Sequence, residues 1–170
     1  MSVVVELPKL IVKRIREKAE QHGISFDEYL IDLLSRDLDP SDKAIEYIEV
    51  ASLLISQAKK ELGKVDVRQA AEKIWGASAL AIKAYAYWRD GKRLASHGEL
   101  WEYSRLVAKE LGEWIYDSWS NAVHMHVCFY EGWCGKEHVV KALKQIEKMV
   151  NAISNKIGIR ESTSSQNIKS

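Results

Sequence analysis

The sequence predicts an all-α protein, an antiparallel up-and-down bundle of about five helices preceded by an N-terminal helical hairpin. Two prolines and nine glycines in 170 residues leave long stretches free of helix breakers. Hydrophobic residues make up 46% and charged residues 29%, the balance of a globular chain rather than a disordered one. Apolar positions recur at helical spacing in successive segments joined by short polar links. Short links favour antiparallel neighbours.

The segments follow in order. Residues 2–7, SVVVEL, are β-branched and end at Pro8, which suits a strand or an extended arm. Lys9 to Gln21 is an amphipathic helix with Leu10, Ile11, Ile15 and Ala19 on its apolar side, stopped at His22-Gly23. Ser25 with Glu28 three residues on forms a capping box for a second helix, expected to run to about Leu38 and to close at Asp39-Pro40. Ser41 is expected to cap the next helix, which ends at Gly63. Asp66 caps a helix that reaches the charged turn at 89–93. Three more follow, at Ser96 to Leu111, Glu113 to Tyr130 and Lys136 to Ile157. The tail from Gly158 is polar and is expected to be disordered. The expected division is therefore an arm and hairpin at 1–40, a bundle at 41–157 and a tail at 158–170.

The helix after Asp66 is the spine. Alanines at 70, 71, 77, 79, 81, 84 and 86 let neighbouring helices approach closely. It also carries Glu72, Lys73 and Lys83, unusual for a buried helix. Steps of four, three and four from Glu72 reach Gly76, Ala79 and Lys83, so a carboxylate and an ammonium mark the ends of one small-residue stripe. Two readings follow: an ion pair that fixes helix register, or a polar site inside the bundle.

Composition excludes several classes. With 25 basic and 24 acidic residues the formal net charge is +1, so no general field draws the chain to nucleic acid or anionic lipid. The start turns charged within ten residues, unlike a signal peptide, and no apolar run approaches a membrane span. Two cysteines are too few for a disulfide framework. A cytoplasmic protein with no membrane association is expected.

Several stretches carry resemblances. The first forty residues, an extended start and two helices, resemble a ribbon-helix-helix half-unit. In that family paired strands read DNA. Neither face of 2–7 has a lysine or arginine, and Glu6 would repel phosphate, so a DNA-binding regulator is the weaker alternative. AAEKIWGASALAIKAYA at 70–86, SHGELWEYSRLVAKELG at 96–112, NAVHMHVCFYEGW at 121–133 and the lead-in LDPSDKAIEYIEVASLLISQAKKEL together resemble the archaeal PaREP proteins. These are in turn similar to HEPN domains, small antiparallel bundles that usually dimerise. That resemblance implies a homodimer acting as a binding or scaffold protein, with RNA or a nucleotide as a possible ligand class. Its alternative is an RNA-directed toxin or ribonuclease. Active members carry an arginine, four to six residues, then a histidine. Here His124 is the candidate, but the positions where the arginine belongs read DSWSN at 117–121. Asn121 offers only an amide there, and an amide does not replace a guanidinium at a phosphate. A non-enzymatic role is expected, and no cofactor.

Two other constellations remain. His124, Cys128, Cys134 and His138 offer four nitrogen or sulfur ligands, the number a tetrahedral zinc site needs, at no standard spacing. Packing, or a Cys128–Cys134 disulfide, are the other readings. A polar groove is expected where Glu72, Lys73 and Lys83 of the spine meet His124, Asn121 and Glu131 of the late helix.

Overall fold

The structure, a computed structural model, describes residues 3–167, with side chains as far as residue 158. The described residues form seven helices: α1 Lys9–His22, α2 Phe26–Leu34, α3 Pro40–Gly63, α4 Val67–Asp90, α5 His97–Leu111, α6 Trp114–Glu131 and α7 Lys136–Asn167. The hairpin is α1–α2 and the bundle is α3–α7.

Capping residues explain most boundaries. Ser25 accepts a hydrogen bond from the Glu28 amide at 3.1 Å, and Asp66 accepts one from the Gln69 amide at 3.1 Å. Ser96 and Glu99 form a reciprocal capping box at the start of α5. Four expectations shift. The Ser25 box is half a box, because the Glu28 carboxylate leaves the helix end for Lys83 on α4. Helix α2 stops at Leu34 instead of Leu38, and α3 begins at Pro40, behind Asp39, not behind Ser41. Proline suits the first helical position, where its missing N–H has no partner to lose. At the other end of α3 the left-handed turn falls on Val65 (φ 64°), after the Asp66 amide has bonded back to the Glu61 carbonyl at 2.9 Å. Gly63 remains helical.

Of the two readings of the N-terminal stretch, a strand or an arm, the described residues show no strand. Residues 3–8 have no regular structure, the Pro8 carbonyl accepts hydrogen bonds from the Ile11 and Val12 amides at the start of α1, and Val3, Val4 and Val5 are 85%, 93% and 72% exposed. Helix α7 continues to Asn167 through the stretch expected to be a disordered tail. It meets no proline, and its one glycine, Gly158, is tolerated inside a helix. Ser2 of the arm and residues 168–170 of the tail lie outside the described residues.

Helix α4 is the centre of the bundle. Every residue from Ile74 to Tyr87 is buried, and α2, α3, α5, α6 and α7 all pack against it. Its small residues permit this. A Cβ placed on Gly76 would lie 2.9 Å from Ser25 Oγ and 3.1 Å from Leu54 Cδ1, so glycine lets the start of α2 and the middle of α3 close on the same turn. Trp75, Trp119, Tyr47 and Tyr85 are the largest fully buried side chains, and Trp75 meets Trp119 at a centroid distance of 5.3 Å. Helix α1 packs chiefly on α2, so the hairpin reaches the bundle mainly through α2 and the link before it.

Candidate functional site

The charges on the spine are met by the hairpin. Lys83 Nζ lies 2.7 Å from Glu28 Oε1 and 3.2 Å from Asp32 Oδ2. Glu28 is fully inaccessible, and its other carboxylate oxygen has no hydrogen-bond partner. Burial alone depresses an ammonium. Here Glu28 and Asp32 outweigh it, so the pKa of Lys83 is raised and the group stays charged. The Tyr47 hydroxyl donates to Asp32 Oδ1, and Ser35 Oγ lies 3.4 Å from that hydroxyl. Burial first, then Asp32, holds the Tyr47 phenol far above its usual range, so it remains a donor. Nearly three turns earlier on α4, Lys73 pairs with Asp27 at 2.7 Å.

Above Lys83, Asp32 and Tyr47 opens a cavity of about 450 Å³ between α2, α3, α4 and the 91–95 link. Its wall carries Arg36, Lys43 and Arg93, none of which has a carboxylate partner within ion-pair distance among the described residues. Lys43 Nζ sits 5.4 Å from the centre of the Tyr87 ring. Tyr29, stacked on His22 at 5.9 Å, stands on the hairpin side. The one carboxylate in the wall, Asp32, is already engaged by Tyr47 and Lys83. The cavity lining therefore combines three cations, tyrosine rings and a floor of engaged polar groups.

The groove expected between Glu72, Lys83 and His124 is three separate places. Glu72 and Lys73 line a second crevice of about 300 Å³ with Arg16, Glu20, Asp27 and Tyr130. Burial raises the Glu72 pKa, with Lys73 the main opposing charge. Lys83 lies in the first cavity. His124 is exposed and shares a cleft of about 250 Å³ with Asn121, Trp133, His138 and Lys141, lined by α6, α7 and their link. Asn121 Nδ2 donates there to Gln145 Oε1. Glu131 is exposed at the end of α6. The α1–α2 hairpin lies along the α4 stripe from Glu72 to Lys83, and His124 is on another face of the bundle.

Cys128 and Cys134 are joined as a disulfide, with Cα atoms 5.6 Å apart, so neither is a thiolate ligand. Among the described residues no group of three or more His, Cys, Asp or Glu converges to hold a metal ion. Arg68, at the N-terminal end of the spine, donates to the carbonyls of Phe129 (2.9 and 2.7 Å) and Tyr130 (3.2 Å), closing the end of α6. His126 packs on Trp75 at 4.8 Å and faces His97 at 5.8 Å. Burial, with a smaller contribution from His97, lowers its pKa to about 4.

Sequence reasoning missed Glu28, Asp32, Arg36, Lys43 and Tyr47 as site residues. Glu28 carried a signal that pointed elsewhere, the capping box. Asp32 follows it by four residues, which places the two on one face of α2. That pair of acidic residues facing inward was the readable sign.

Comparison with known proteins fits this architecture. No helix among the described residues is long and apolar enough to cross a membrane. No curated protein matches the chain. A crystal structure of a protein from Sulfolobus solfataricus superposes with a TM-score of 0.57 at 26% sequence identity, covering 62% of this chain and 94% of that one. Residues 46–150, from α3 to α7, match the sequence model described as the archaeal PaREP1/PaREP8 family. On that match, spanning the bundle but not the hairpin, the chain belongs to the archaeal PaREP1/PaREP8 family.

Proposed function

We propose that this chain is a HEPN-like, non-enzymatic binding protein that acts as a homodimer and takes a small phosphate-bearing ligand in the nucleotide class. The observation that carries the ligand reading is the trio Arg36, Lys43 and Arg93, unpaired in a 450 Å³ cavity that also presents Tyr29 and Tyr87. Two guanidinium groups and an ammonium recognise phosphate oxygens through charge-assisted hydrogen bonds, and tyrosine rings accept a base. The homodimer is supported by apolar exposure concentrated at one end of the chain. Val3, Val4, Val5, Leu7, Leu10, Ile11, Leu33 and Leu34 are all exposed.

Calorimetry with ATP, AMP and a short single-stranded RNA tests the ligand class. Wild-type protein is expected to bind at least one of them, more weakly at high salt. The double variant Arg36→Ala/Arg93→Ala is expected to lose affinity by roughly tenfold to a hundredfold. Absence of binding to all three, or binding indifferent to the double variant, sinks the reading.

One observation favours RNA cleavage as a second reading. His124 and His138 line the same cleft as Lys141 and the half-exposed Trp133. Two imidazoles in one cleft offer a general base and a general acid. The RNA sample from the same experiment decides it. Cleavage that disappears in His124→Ala establishes it, and intact RNA removes it.

A further inference from the structure

The cavity is built by two parts of the chain with different standing. His22, Ile24, Tyr29, Asp32, Leu33, Ser35 and Arg36 belong to the hairpin side, which precedes the family match. Lys43, Tyr47, Lys83, Tyr87, Arg93 and Ala95 belong to the bundle and its approach. The site therefore exists only while the hairpin is docked. The hairpin is held unusually for a helix pair. Four large apolar residues of its helices, Leu10, Ile11, Leu33 and Leu34, are exposed, while Asp27, Glu28 and Asp32 pair with lysines of the bundle. Its main polar attachments are Lys73–Asp27 at 2.7 Å, the two carboxylates on Lys83, and the Gly23 carbonyl 2.7 Å from His97 Nε2. The Lys83 contact is the buried ionic one, with its side chain 6% and that of Glu28 0% accessible, and beside it the buried Tyr47 hydroxyl meets Asp32 and Ser35.

We infer that Lys83 is a positioning residue: its ammonium, buried between Glu28 and Asp32, latches the α1–α2 hairpin over the cavity and thereby assembles the binding site. The physical reason is the charge count. One ammonium serves two carboxylates, so the docked interface already holds one negative charge in excess. Removing Lys83 leaves the fully buried Glu28 carboxylate with no cation and strips the part-buried Asp32 of its ion pair, leaving it the Tyr47 hydrogen bond. The side able to move is the hairpin, because α4 is enclosed by the rest of the bundle. Undocking returns Glu28 and Asp32 to water and carries Arg36 and Tyr29 away from Lys43 and Tyr87. Glu28 does not line the cavity, so an effect of Glu28 on ligand binding runs through the latch.

Peptide-resolved hydrogen exchange on the full-length chain tests this, and does so without any ligand. Lys83→Met is expected to speed exchange in residues 9–34 by about tenfold or more while α4–α7 keep their protection. Glu28→Met combined with Lys83→Met, which replaces the charges by apolar groups of similar length, is expected to restore hairpin protection. Unchanged hairpin exchange in Lys83→Met overturns the latch. Faster exchange spread evenly over all helices also overturns it, since that is global destabilisation. A failure of the double variant to restore protection does the same. The binding consequence rests on the ligand reading above. ATP affinity is expected to fall about tenfold in Lys83→Met and to recover in the double variant. If wild type binds no ATP, that reading fails while the exchange result still decides the latch.

Discussion

At the residue scale, Gly76 and His126 show how neighbours set cost. Gly76 lies in the middle of a helix, where alanine has the better propensity by about 1 kcal/mol. Its environment reverses that preference. An added Cβ would meet Ser25 Oγ at 2.9 Å, and that oxygen is fixed by its bond to the Glu28 amide. Gly76→Ala is expected to destabilise by about 1–3 kcal/mol in thermal or denaturant unfolding, an overpacking cost. His126 gives a pH signature. Its folded pKa of about 4 lies below the ordinary 6.5, so the unfolded chain binds its proton first as pH falls. Stability from this group is complete above pH 6.5 and is lost as pH drops from 6.5 to about 4. After allowance for solvent screening at a half-buried ring, the loss is about 1–2 kcal/mol. His126→Phe is expected to flatten that part of a stability profile measured between pH 7 and 4. An unchanged slope would assign the dependence to other groups.

At the element scale, the sequence located helices well and their partners poorly. The spine, its Asp66 cap and the Ser96 start of α5 were readable, because caps and helical spacing act within four residues. The start of α3 was misread by one turn-forming unit, because Asp39-Pro40 serves equally as a stop or a start. The end of α6 shows an element fixed by covalent closure. The Cys128–Cys134 bridge ties its last turn to the link before α7 across six residues, beside the Arg68 contacts to its final carbonyls. Closing so short a loop contributes about 2 kcal/mol on the chain-entropy model. Reduction with a thiol is expected to lower the melting temperature by several degrees. Mass spectrometry after alkylation should show two modified cysteines only in the reduced sample. Two modified cysteines without reductant would contradict the bridge.

At the scale of the whole molecule, the α3–α7 bundle and the α1–α2 hairpin have different surfaces. The bundle buries most of its apolar residues around α4, with Leu53, Val65, Val127, Tyr130 and Trp133 exposed. The hairpin and arm leave eight large apolar residues in water, too many together for an isolated surface of this size. Light scattering on the full-length chain is expected to give about twice the 19.4 kDa chain mass. Leu10→Glu with Ile11→Glu is expected to shift it toward the single-chain value. A wild-type mass of one chain would rule the dimer out.

The sequence by itself determined the helices, the central place of α4 and the family to which the bundle belongs. The first two rest on local periodicity, capping and small-residue spacing, which are properties of neighbouring residues, and the family rests on the resemblance of stretches such as 70–86 and 121–133. Tertiary structure alone decided the site. Whether Lys83 would meet Glu72, His124 or the hairpin depended on which helix covers each face of α4, and helical spacing is silent on that. Two carboxylates on α2, one of them resembling a cap, turned out to be the partners of the buried ammonium. The cavity follows from that pairing, because burying a charge requires opposite charges brought from elsewhere in the chain.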